Sequence, residues 1–203
     1  LYEGEIDEKT ALNRCEPNKL DELLHPVFDK LAQSQAKVLT RGLPASPGAA
    51  CGQIVFFADD ATKWHADGHE VVMVRIETSP EDLAGMSAAE GILTARGGMT
   101  SHAAVVARGM GKCCVSGAGA ISVDYKSRTV EIDGVVLREG DYISLNGSTG
   151  EVYLGEVQTK PAEVSGDFSD LMKLCEKYTK LQVRTNADTP HDAKVARSFG
   201  ALR

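Results

Sequence analysis

Three short apolar runs between residues 69 and 117 alternate with helix signals, and this alternation limits the fold more than any other feature. The runs are rich in β-branched residues and bounded by turn residues, as strands are. After the first run, Ser79, Pro80 and Asp82 form a helix start with a cap, a first-turn proline and a capping-box acid. Strands that alternate with helices indicate βα units. The three runs are HEVVMVRIE (69–77), GILTA (91–95) and CCVSG (113–117).

The segment TVEIDGVVLREGDYISLNGSTGEVYLG, which begins at residue 129, has a different pattern. Its apolar runs are short and are separated by residue pairs typical of tight turns. The pairs are Asp133-Gly134, Glu139-Gly140 and Asn146-Gly147. The sequence therefore predicts hairpins beside the βα units, in one mixed α/β domain over about residues 41–156.

The flanks of this domain have the character of connectors. Apolar residues at helical spacing predict a helix over 17–38, with a break just before Pro26, inside an N-terminal helical linker of residues 1–40. A second helical linker is predicted over 157–181. Residues 182–203 show one strand signal and one helix signal, which we expect to be the start of a further, truncated domain. Pliable links are expected near 37–41 and 160–166.

Composition excludes several classes of function. The net charge of −7 argues against binding to nucleic acid or to an anionic membrane surface. No apolar run is long enough to cross a bilayer. Five cysteines without a CxxC spacing favour free thiols over disulfides or structural zinc, and no metal site is predicted in the chain. We expect an intracellular, reducing compartment, either the cytoplasm or a metabolic organelle such as a plastid or peroxisome.

The stretch GGMTSHAAVVARGMGKCCVSG, residues 97–117, contains the strongest candidate site. Gly97 and Gly98 follow a predicted strand, where the backbone needs freedom to turn and to approach a ligand. Thr100 or Ser101 can cap the next helix, so His102 lies in its first turn. Free N–H groups and the helix dipole favour an anion there and disfavour a protonated imidazole. An anion site beside a neutral nucleophile suits attack on phosphorus.

A plainer interpretation of the same residues stays open on spacing alone. The two glycines can be a simple turn, with His102 a half-exposed residue near a helix cap, since helix starts often carry such residues. Arg96 and Arg108 flank the motif, and each can either position a phosphate or be a solvated surface arginine. Gly97, Gly98, Thr100 and Ser101 are the other candidates for positioning a phosphate.

The 97–117 stretch resembles the phosphohistidine signature of the phosphoenolpyruvate-utilising enzymes, in which two glycines and a hydroxyl residue precede the histidine. Residues 42–56, GLPASPGAACGQIVF, resemble the start of that family's phosphohistidine domain. Residues 183–201, VRTNADTPHDAKVARSFGA, resemble the entry into its phosphoenolpyruvate/pyruvate barrel. Met99, Ser101 and GKCCVSG at 111–117 are similar to the dikinase branch. The synthase branch usually has cysteine where this chain has Ser101.

The resemblance implies a swivelling β/β/α phosphohistidine domain with helical linkers. His102 would be phosphorylated by an ATP-grasp domain and would then pass the phosphoryl group to pyruvate in the barrel. The dikinase reaction converts ATP, phosphate and pyruvate to AMP, pyrophosphate and phosphoenolpyruvate. Thr100 matches a threonine that plant members phosphorylate for regulation. The implied partners are these two domains of the same polypeptide, and the full-length enzyme is expected to be a homodimer.

The resemblance also implies where other functions lie. The Mg²⁺ sites are expected in the ATP-grasp and barrel domains, with no cofactor in this fragment, which is expected to be inactive in the overall reaction. Two alternatives remain. One is the carrier domain of a phosphoenolpyruvate synthase, in which water replaces phosphate as acceptor. The other is a stand-alone phosphocarrier or interaction module, for which the barrel-like residues 182–203 would have no use.

Overall fold

The computed structural model describes residues 5–17, 20, 23–161, 166–181, 190, 193, 194 and 197. The chain forms two compact units, of which the larger is Pro17–Glu163 and the smaller combines Leu1–Glu16 with Val164–Arg203. The helices of the described residues are α1 (Glu8–Arg14), α2 (Lys30–Gln35), α3 (Ala58–Ala66), α4 (Leu83–Ala88), α5 (His102–Met110) and α6 (Gly166–Tyr178), with a 3₁₀ turn at Pro80–Asp82.

The larger unit contains three sheets built from short strands. The strands are β1 (Val27–Phe28), β2 (Val38–Arg41), β3 (Leu43–Ser46), β4 (Ala49–Val55), β5 (Val71–Arg75), β6 (Gly91–Thr94), β7 (Cys113–Ser116), β8 (Ile121–Asp124), β9 (Thr129–Ile132), β10 (Val135–Arg138), β11 (Tyr142–Asn146), β12 (Glu151–Leu154) and β13 (Thr159–Lys160). The main sheet has eight strands in the order β2-β12-β11-β4-β5-β6-β7-β3. A small sheet has the order β10-β9-β8, and β1 pairs with β13.

The centre of the main sheet is parallel, and its edges are antiparallel. Strands β4, β5, β6 and β7 pair in parallel. The crossovers between them contain α3, α4 and α5 in turn. Because a parallel pair needs a long connection, each βα signal in the sequence becomes one crossover. The carboxyl ends of β5, β6 and β7 therefore meet at one edge of the sheet, which is where the motif of residues 97–102 lies.

The main sheet is buried on both faces, and this produces three layers. On one face, Val71, Met73 and Ile92 pack against alanines of the helices. On the other face, Val72 and Val74 pack in one cluster with Ile132 of the small sheet. The layers are therefore small sheet, main sheet and helices. This mixed α/β, β/β/α architecture confirms the predicted fold class.

The register of β7 shows how the two faces are separated. Cys113 belongs to the cluster on the small-sheet face, and Cys114 belongs to the cluster on the helix face. Successive side chains of a strand point to opposite faces, so these adjacent cysteines do not share a site. Both thiols are buried and free, and the other three cysteines are free as well.

The helix predicted over 17–38 is wrong for residues 23–29 and 36–38, whereas residues 17, 20 and 30–35 are helical and residues 18, 19, 21 and 22 lie outside the described residues. Residues 23–25 form a turn and a bend, so the break expected before Pro26 is present, but β1 and the six-residue α2 follow it. Asp29 caps α2 by accepting from the N–H groups of Leu31 and Ala32. Phe28 is buried against Tyr153, which competes with helix formation through tertiary packing.

The pliable link predicted near 37–41 is also wrong, because β2 occupies Val38–Arg41 and pairs with β12 in the main sheet. An edge strand held by ladder hydrogen bonds cannot serve as a free hinge. At the other end, the link predicted near 160–166 begins in β13 (Thr159–Lys160) and ends in the first residue of α6, and its residues 162–165 lie outside the described residues. The predicted truncated domain, residues 182–203, lies almost wholly outside them.

Two of the predicted hairpin turns are confirmed, because Asp133-Gly134 connects the paired strands β9 and β10 and Asn146-Gly147 begins the connection between the paired strands β11 and β12. The hairpin predicted at Glu139-Gly140 is wrong, because this pair connects β10 to β11, which lie in different sheets. Asp133 (φ 48°) and Gly134 (φ 79°) form the two-residue turn between β9 and β10, as an Asp-Gly pair favours. In the smaller unit, α6 confirms the helix predicted within 157–181, and Glu8 of α1 accepts hydrogen bonds from Lys177 and Tyr178. Among the described residues, no helix is long and apolar enough to cross a membrane.

Candidate functional site

The loop of residues 95–101 leaves β6 and turns sharply before α5. Gly97 has φ 115°, a conformation that side chains rarely adopt. A Cβ at Gly97 would lie 2.9 Å from Ser116 Oγ and 3.0 Å from the Ser101 side chain. The structure therefore requires glycine at this position. Gly98 differs, because a Cβ there would meet nothing within 4 Å, so the packing of the described residues does not explain this second glycine.

Ser101 is the residue that caps α5, and Thr100 is exposed beside it. The Ser101 hydroxyl accepts from the N–H of Ala104 at 3.4 Å and lies 3.3 Å from Ser116 Oγ. Ser116 Oγ is in turn 3.1 Å from Thr94 Oγ1, and both of these side chains are fully buried. A chain of three hydroxyls thus ties the helix start to the ends of β6 and β7.

Helix α5 is held against the sheet by its small residues. Ala103, Ala104 and Ala107 are buried in the cluster of the helix face. Their short side chains let the helix axis approach the sheet closely, and packing offsets the weak helix preference of the valines between them. The helix ends at Gly111, whose φ of 65° is the left-handed conformation of a glycine C-cap. The helix that carries His102 is therefore fixed at both ends and along one side.

His102 is the first residue of α5 and is half-buried. Its Nδ1 atom lies 3.0 Å from Thr78 Oγ1, so one ring nitrogen is engaged by a neighbouring loop. Nε2 is then the ring nitrogen that remains for chemistry. The first-turn N–H groups beside the ring have no acceptor within the helix, which favours a negative group at this end of α5. The predicted association of an imidazole with a helix N-terminus is therefore present.

Thr78 is the site residue that the motif did not reveal. It follows β5, the strand parallel and adjacent to β6, and it precedes the 3₁₀ turn at Pro80–Asp82. A signal was present in the sequence, because a threonine just after one βα strand must lie near the loop after the next parallel strand. Its contact with His102 still depends on strand order and register, which tertiary structure decides.

The two arginines that flank the motif have different surroundings. The Arg108 guanidinium donates from Nε to the carbonyl of Ala104 at 3.0 Å and from Nη2 to the carbonyl of Met99. It therefore holds the loop before His102 instead of projecting freely towards a ligand. The Arg96 side chain is exposed, and the N–H of Arg96 donates to the carbonyl of Ile76 at 2.9 Å.

No group of three or more His, Cys, Asp or Glu residues within the described parts of the chain has a geometry that fits a metal ion. The site is thus made of one imidazole, several hydroxyls and main-chain N–H groups. Such an arrangement can bind an anion and offer it a nitrogen nucleophile.

Comparison with known proteins shows what this site is similar to. Residues 68–150 match the family model described as "PEP-utilising enzyme, mobile domain". This range contains the Thr78 loop, the glycine loop and all of α5. Residues 68–150 are therefore similar to the mobile domain of the PEP-utilising enzymes. The sequence resemblance noted for residues 97–117 is confirmed.

Individual relatives extend the similarity beyond the mobile domain. The chain is 57% identical over 201 residues to pyruvate, phosphate dikinase 2 of Oryza sativa subsp. japonica, which covers 99% of this chain and 23% of the relative. It is 55% identical over 199 residues to pyruvate, phosphate dikinase of Clostridium symbiosum, covering 98% and 23%. An NMR solution structure of Enzyme I matches 54% of this chain and 37% of its own, with 27% identity and a TM-score of 0.30. The chain thus spans less than a quarter of the length of the dikinases.

Proposed function

We propose that this chain is a phosphoryl carrier and that His102 is the residue that forms the phosphohistidine. The observation that carries the proposal is the pairing of His102 Nδ1 with Thr78 Oγ1 at 3.0 Å at the start of α5. This contact leaves Nε2 for attack. The family match of residues 68–150 and the dikinase relatives support the same role.

The chemistry follows from the tautomer in which Nδ1 carries the hydrogen. Nδ1–H donates to Thr78 Oγ1, and the Nε2 lone pair forms a bond to phosphorus. The bond from phosphorus to the leaving oxygen breaks, and that oxygen keeps the electron pair. The ring gains positive charge during the attack, which strengthens its donation to Thr78. The hydrogen bond is therefore stronger in the transition state than before it, as catalysis requires.

The substrates we propose are those of the dikinase relatives' reaction. Phosphorylation by an ATP-grasp domain would load His102, with phosphate as a second acceptor, and pyruvate would unload it in a barrel domain. The competing proposal is a synthase, in which water replaces phosphate. Ser101 favours the dikinase, and the phosphate dependence of the full-length enzyme separates the two reactions.

The decisive experiment replaces the nucleophile in the full-length polypeptide that contains this segment. His102→Asn keeps a polar side chain at the helix start but has no ring nitrogen, so ATP-dependent labelling of the protein should be lost completely. The wild-type label should be labile to acid and stable to base. His65→Asn, at an exposed position of helix α3, is the matched control and should label like wild type. Substantial label on His102→Asn would assign the carrier role to another residue.

A second variant tests the proposed transition-state hydrogen bond. Thr78→Val removes the hydroxyl and nearly preserves the side-chain shape. Loss of a hydrogen bond to a charged group costs about 1.5–3 kcal/mol, so labelling should slow by roughly 10- to 100-fold. Thr78→Ser should restore most of the rate, because it supplies a hydroxyl again. An unchanged rate in Thr78→Val would contradict the role of this contact.

We also propose that this chain carries the phosphoryl group but does not catalyse the overall reaction without the other domains. The 203-residue chain should fold cooperatively and yet show no turnover with ATP, phosphate and pyruvate. We place the Mg²⁺ requirement in the ATP-grasp and barrel domains, as the family resemblance implies. Dikinase activity from these residues alone would overturn this division of labour between domains.

One histidine serving two chemistries requires movement of its domain. We propose that the larger unit swivels as a body and that His102 travels with it. A reversible cross-link between this unit and the ATP-grasp domain should permit loading of His102 and block transfer to pyruvate until it is reduced. Thr100, exposed two residues before His102, is the proposed regulatory position, because a phosphate there would repel an incoming phosphoryl group.

A further inference from the structure

The loop that carries Thr78 is held by hydrogen bonds on its strand side. The N–H of Ile76 donates to the hydroxyl of Tyr125 at 2.9 Å. The carbonyl of Ile76 accepts from the N–H of Arg96, also at 2.9 Å. Both main-chain polar groups of the residue two positions before Thr78 are therefore satisfied, one by a side chain from a distant part of the sequence.

The loop is held on its helix side as well. The Asp82 carboxylate accepts from the N–H of Ser79 at 2.8 Å, and its own N–H donates to the Ser79 carbonyl at 3.0 Å. Arg75 donates to Asp82 Oδ2 at 3.4 Å and to the carbonyl of Phe56 at 3.0 Å. Arg75 and Asp82 are largely buried, so water competes weakly with these bonds. Thr78 thus lies between two anchored residues, Ile76 and Ser79.

Tyr125 comes from the small sheet and reaches the edge where His102 lies. It follows β8 and packs its ring against Phe57, with centroids 5.6 Å apart. The Arg75 guanidinium carbon lies 5.1 Å from the same ring, a cation–π distance. The ring is therefore fixed by packing, and its hydroxyl is presented to Ile76. This hydroxyl is the one hydrogen-bond acceptor that the β8–β9 turn contributes to the Thr78 loop in the described structure.

We propose that Tyr125 is a positioning residue for His102 that acts through Ile76 and Thr78. Its hydroxyl fixes the loop backbone, the loop backbone fixes Thr78 Oγ1, and Thr78 Oγ1 fixes the imidazole. Its expected effect on phosphoryl transfer rests on the proposed function, whereas its effect on the His102 ring does not.

The alternative is that Tyr125 only fills space beside Phe56 and Phe57. Tyr125→Phe separates the two roles, because it keeps the ring and its contact with Arg75 and removes only the hydroxyl. Tyr142→Phe is the matched control, since Tyr142 is an exposed tyrosine at the start of β11 in the same unit. Trp64, the one tryptophan of the chain, lies in the same unit and reports folding by its fluorescence.

The first measurement uses the 203-residue chain and needs no phosphoryl donor. With ¹⁵N-labelled histidine, the Nδ1–H signal of His102 should be visible in wild type because Thr78 accepts from it. Absence of that signal in His102→Asn assigns it. We expect exchange of this hydrogen with water to be at least threefold faster in Tyr125→Phe and unchanged in Tyr142→Phe. Unchanged exchange in Tyr125→Phe would overturn the proposal.

The second measurement is a double-mutant cycle on ATP-dependent labelling of His102 in the full-length polypeptide. Tyr125→Phe should lower the labelling rate about three- to tenfold, less than Thr78→Val does. If Tyr125 acts through Thr78, the double variant should label at the rate of Thr78→Val alone. If the double variant instead slows labelling by the product of the two single factors, Tyr125 acts by another route and the proposal is overturned. Loss of folding in Tyr125→Phe would overturn it as well.

The two hypotheses fail in different ways. No labelling of His102 in wild type, together with altered exchange in Tyr125→Phe, would reject the carrier function and keep the positioning role. Normal labelling of His102, together with unchanged exchange in Tyr125→Phe, would keep the carrier function and reject the positioning role of Tyr125.

Discussion

The two faces of the main sheet are packed differently, and the site needs both. On the helix face, three alanines of α5 are buried among larger strand residues, so the helix that carries His102 lies close to the sheet. On the opposite face, the small sheet contributes branched side chains such as Ile132, and aromatic rings lie at its edge. His102, the proposed carrier residue, thus comes from one layer, and Tyr125, which we propose fixes it, comes from the other.

This comparison shows what the small sheet contributes. A helix and a parallel sheet would already place His102 at the carboxyl edge of β6. The small sheet covers the second face, without which Val72, Val74 and Leu93 would be exposed. It also supplies a hydroxyl to the loop beside His102. Three measurements of stability test this comparison, on buried isoleucines, on buried cysteines and on two glycines of α5.

The largest effect is expected from a cavity under the small sheet. Ile132 is fully buried, so Ile132→Ala should lower the free energy of unfolding by about 2–5 kcal/mol. Ile92→Ala, on the helix face, should cost a similar amount because Ile92 is equally buried. Denaturant titration followed by Trp64 fluorescence measures both. A cost below 1 kcal/mol for Ile132→Ala alone would show that the small sheet is a dispensable appendage.

Val105→Ala is the control for that experiment. Val105 lies on α5 with 56% of its surface exposed, so the substitution should change the free energy of unfolding by no more than about 0.5 kcal/mol.

An intermediate effect is expected from the thiols at alkaline pH. Burial raises the pKa of Cys114 to about 12, and it also raises the pKa of Cys113 on the opposite face. A raised pKa means that the folded state keeps its protons while the unfolded state loses them. The contribution of the protonated thiol to the stability of the folded state is therefore complete below pH 9, the ordinary thiol pKa, and is lost as the pH rises towards 12.

Unfolding titrations at pH 7, 9 and 10 test this dependence. Cys114→Ala and Cys113→Ala should each flatten the decrease in stability above pH 9, whichever face the thiol occupies. Cys175→Ala, at a half-exposed position in α6, is the control and should leave the slope unchanged. Equal slopes in all four proteins would mean that the buried thiols are not the groups that titrate.

The smallest effect concerns two glycines at the end of α5. Gly111 has φ 65°, so Gly111→Ala should destabilise the larger unit by about 1–2 kcal/mol through backbone strain. Gly109 lies in the helix, and a Cβ there would meet nothing within 4 Å. Gly109→Ala should therefore be neutral or stabilise by up to about 1 kcal/mol. The melting temperature should therefore fall in Gly111→Ala and stay unchanged or rise in Gly109→Ala, and an unchanged or higher melting temperature in Gly111→Ala would contradict the assigned C-cap.

The chain's local patterns determined the elements that form the central part of the fold. Alternation of apolar runs with helix starts predicted the βα units, the Asp133-Gly134 pair predicted a hairpin, and the glycine motif placed His102 in the first turn of a helix. These features depend on residues close in sequence, because turns and caps are satisfied by the neighbouring backbone. That is why periodicity and capping chemistry were sufficient for them.

Tertiary structure decided the parts that depend on contacts between distant residues. The 17–38 segment has a helical pattern, yet Phe28 is buried against Tyr153 and Val38 begins an edge strand, because sheet packing outweighs local helix preference. Thr78 and Tyr125 carry no motif of their own. Strand order brings Thr78 to His102, and the layer across the sheet brings Tyr125 to Ile76. The sequence by itself indicated His102 as the candidate nucleophile, and only packing determined what holds its ring in place, since a hydrogen bond between residues of different βα units has no local signature.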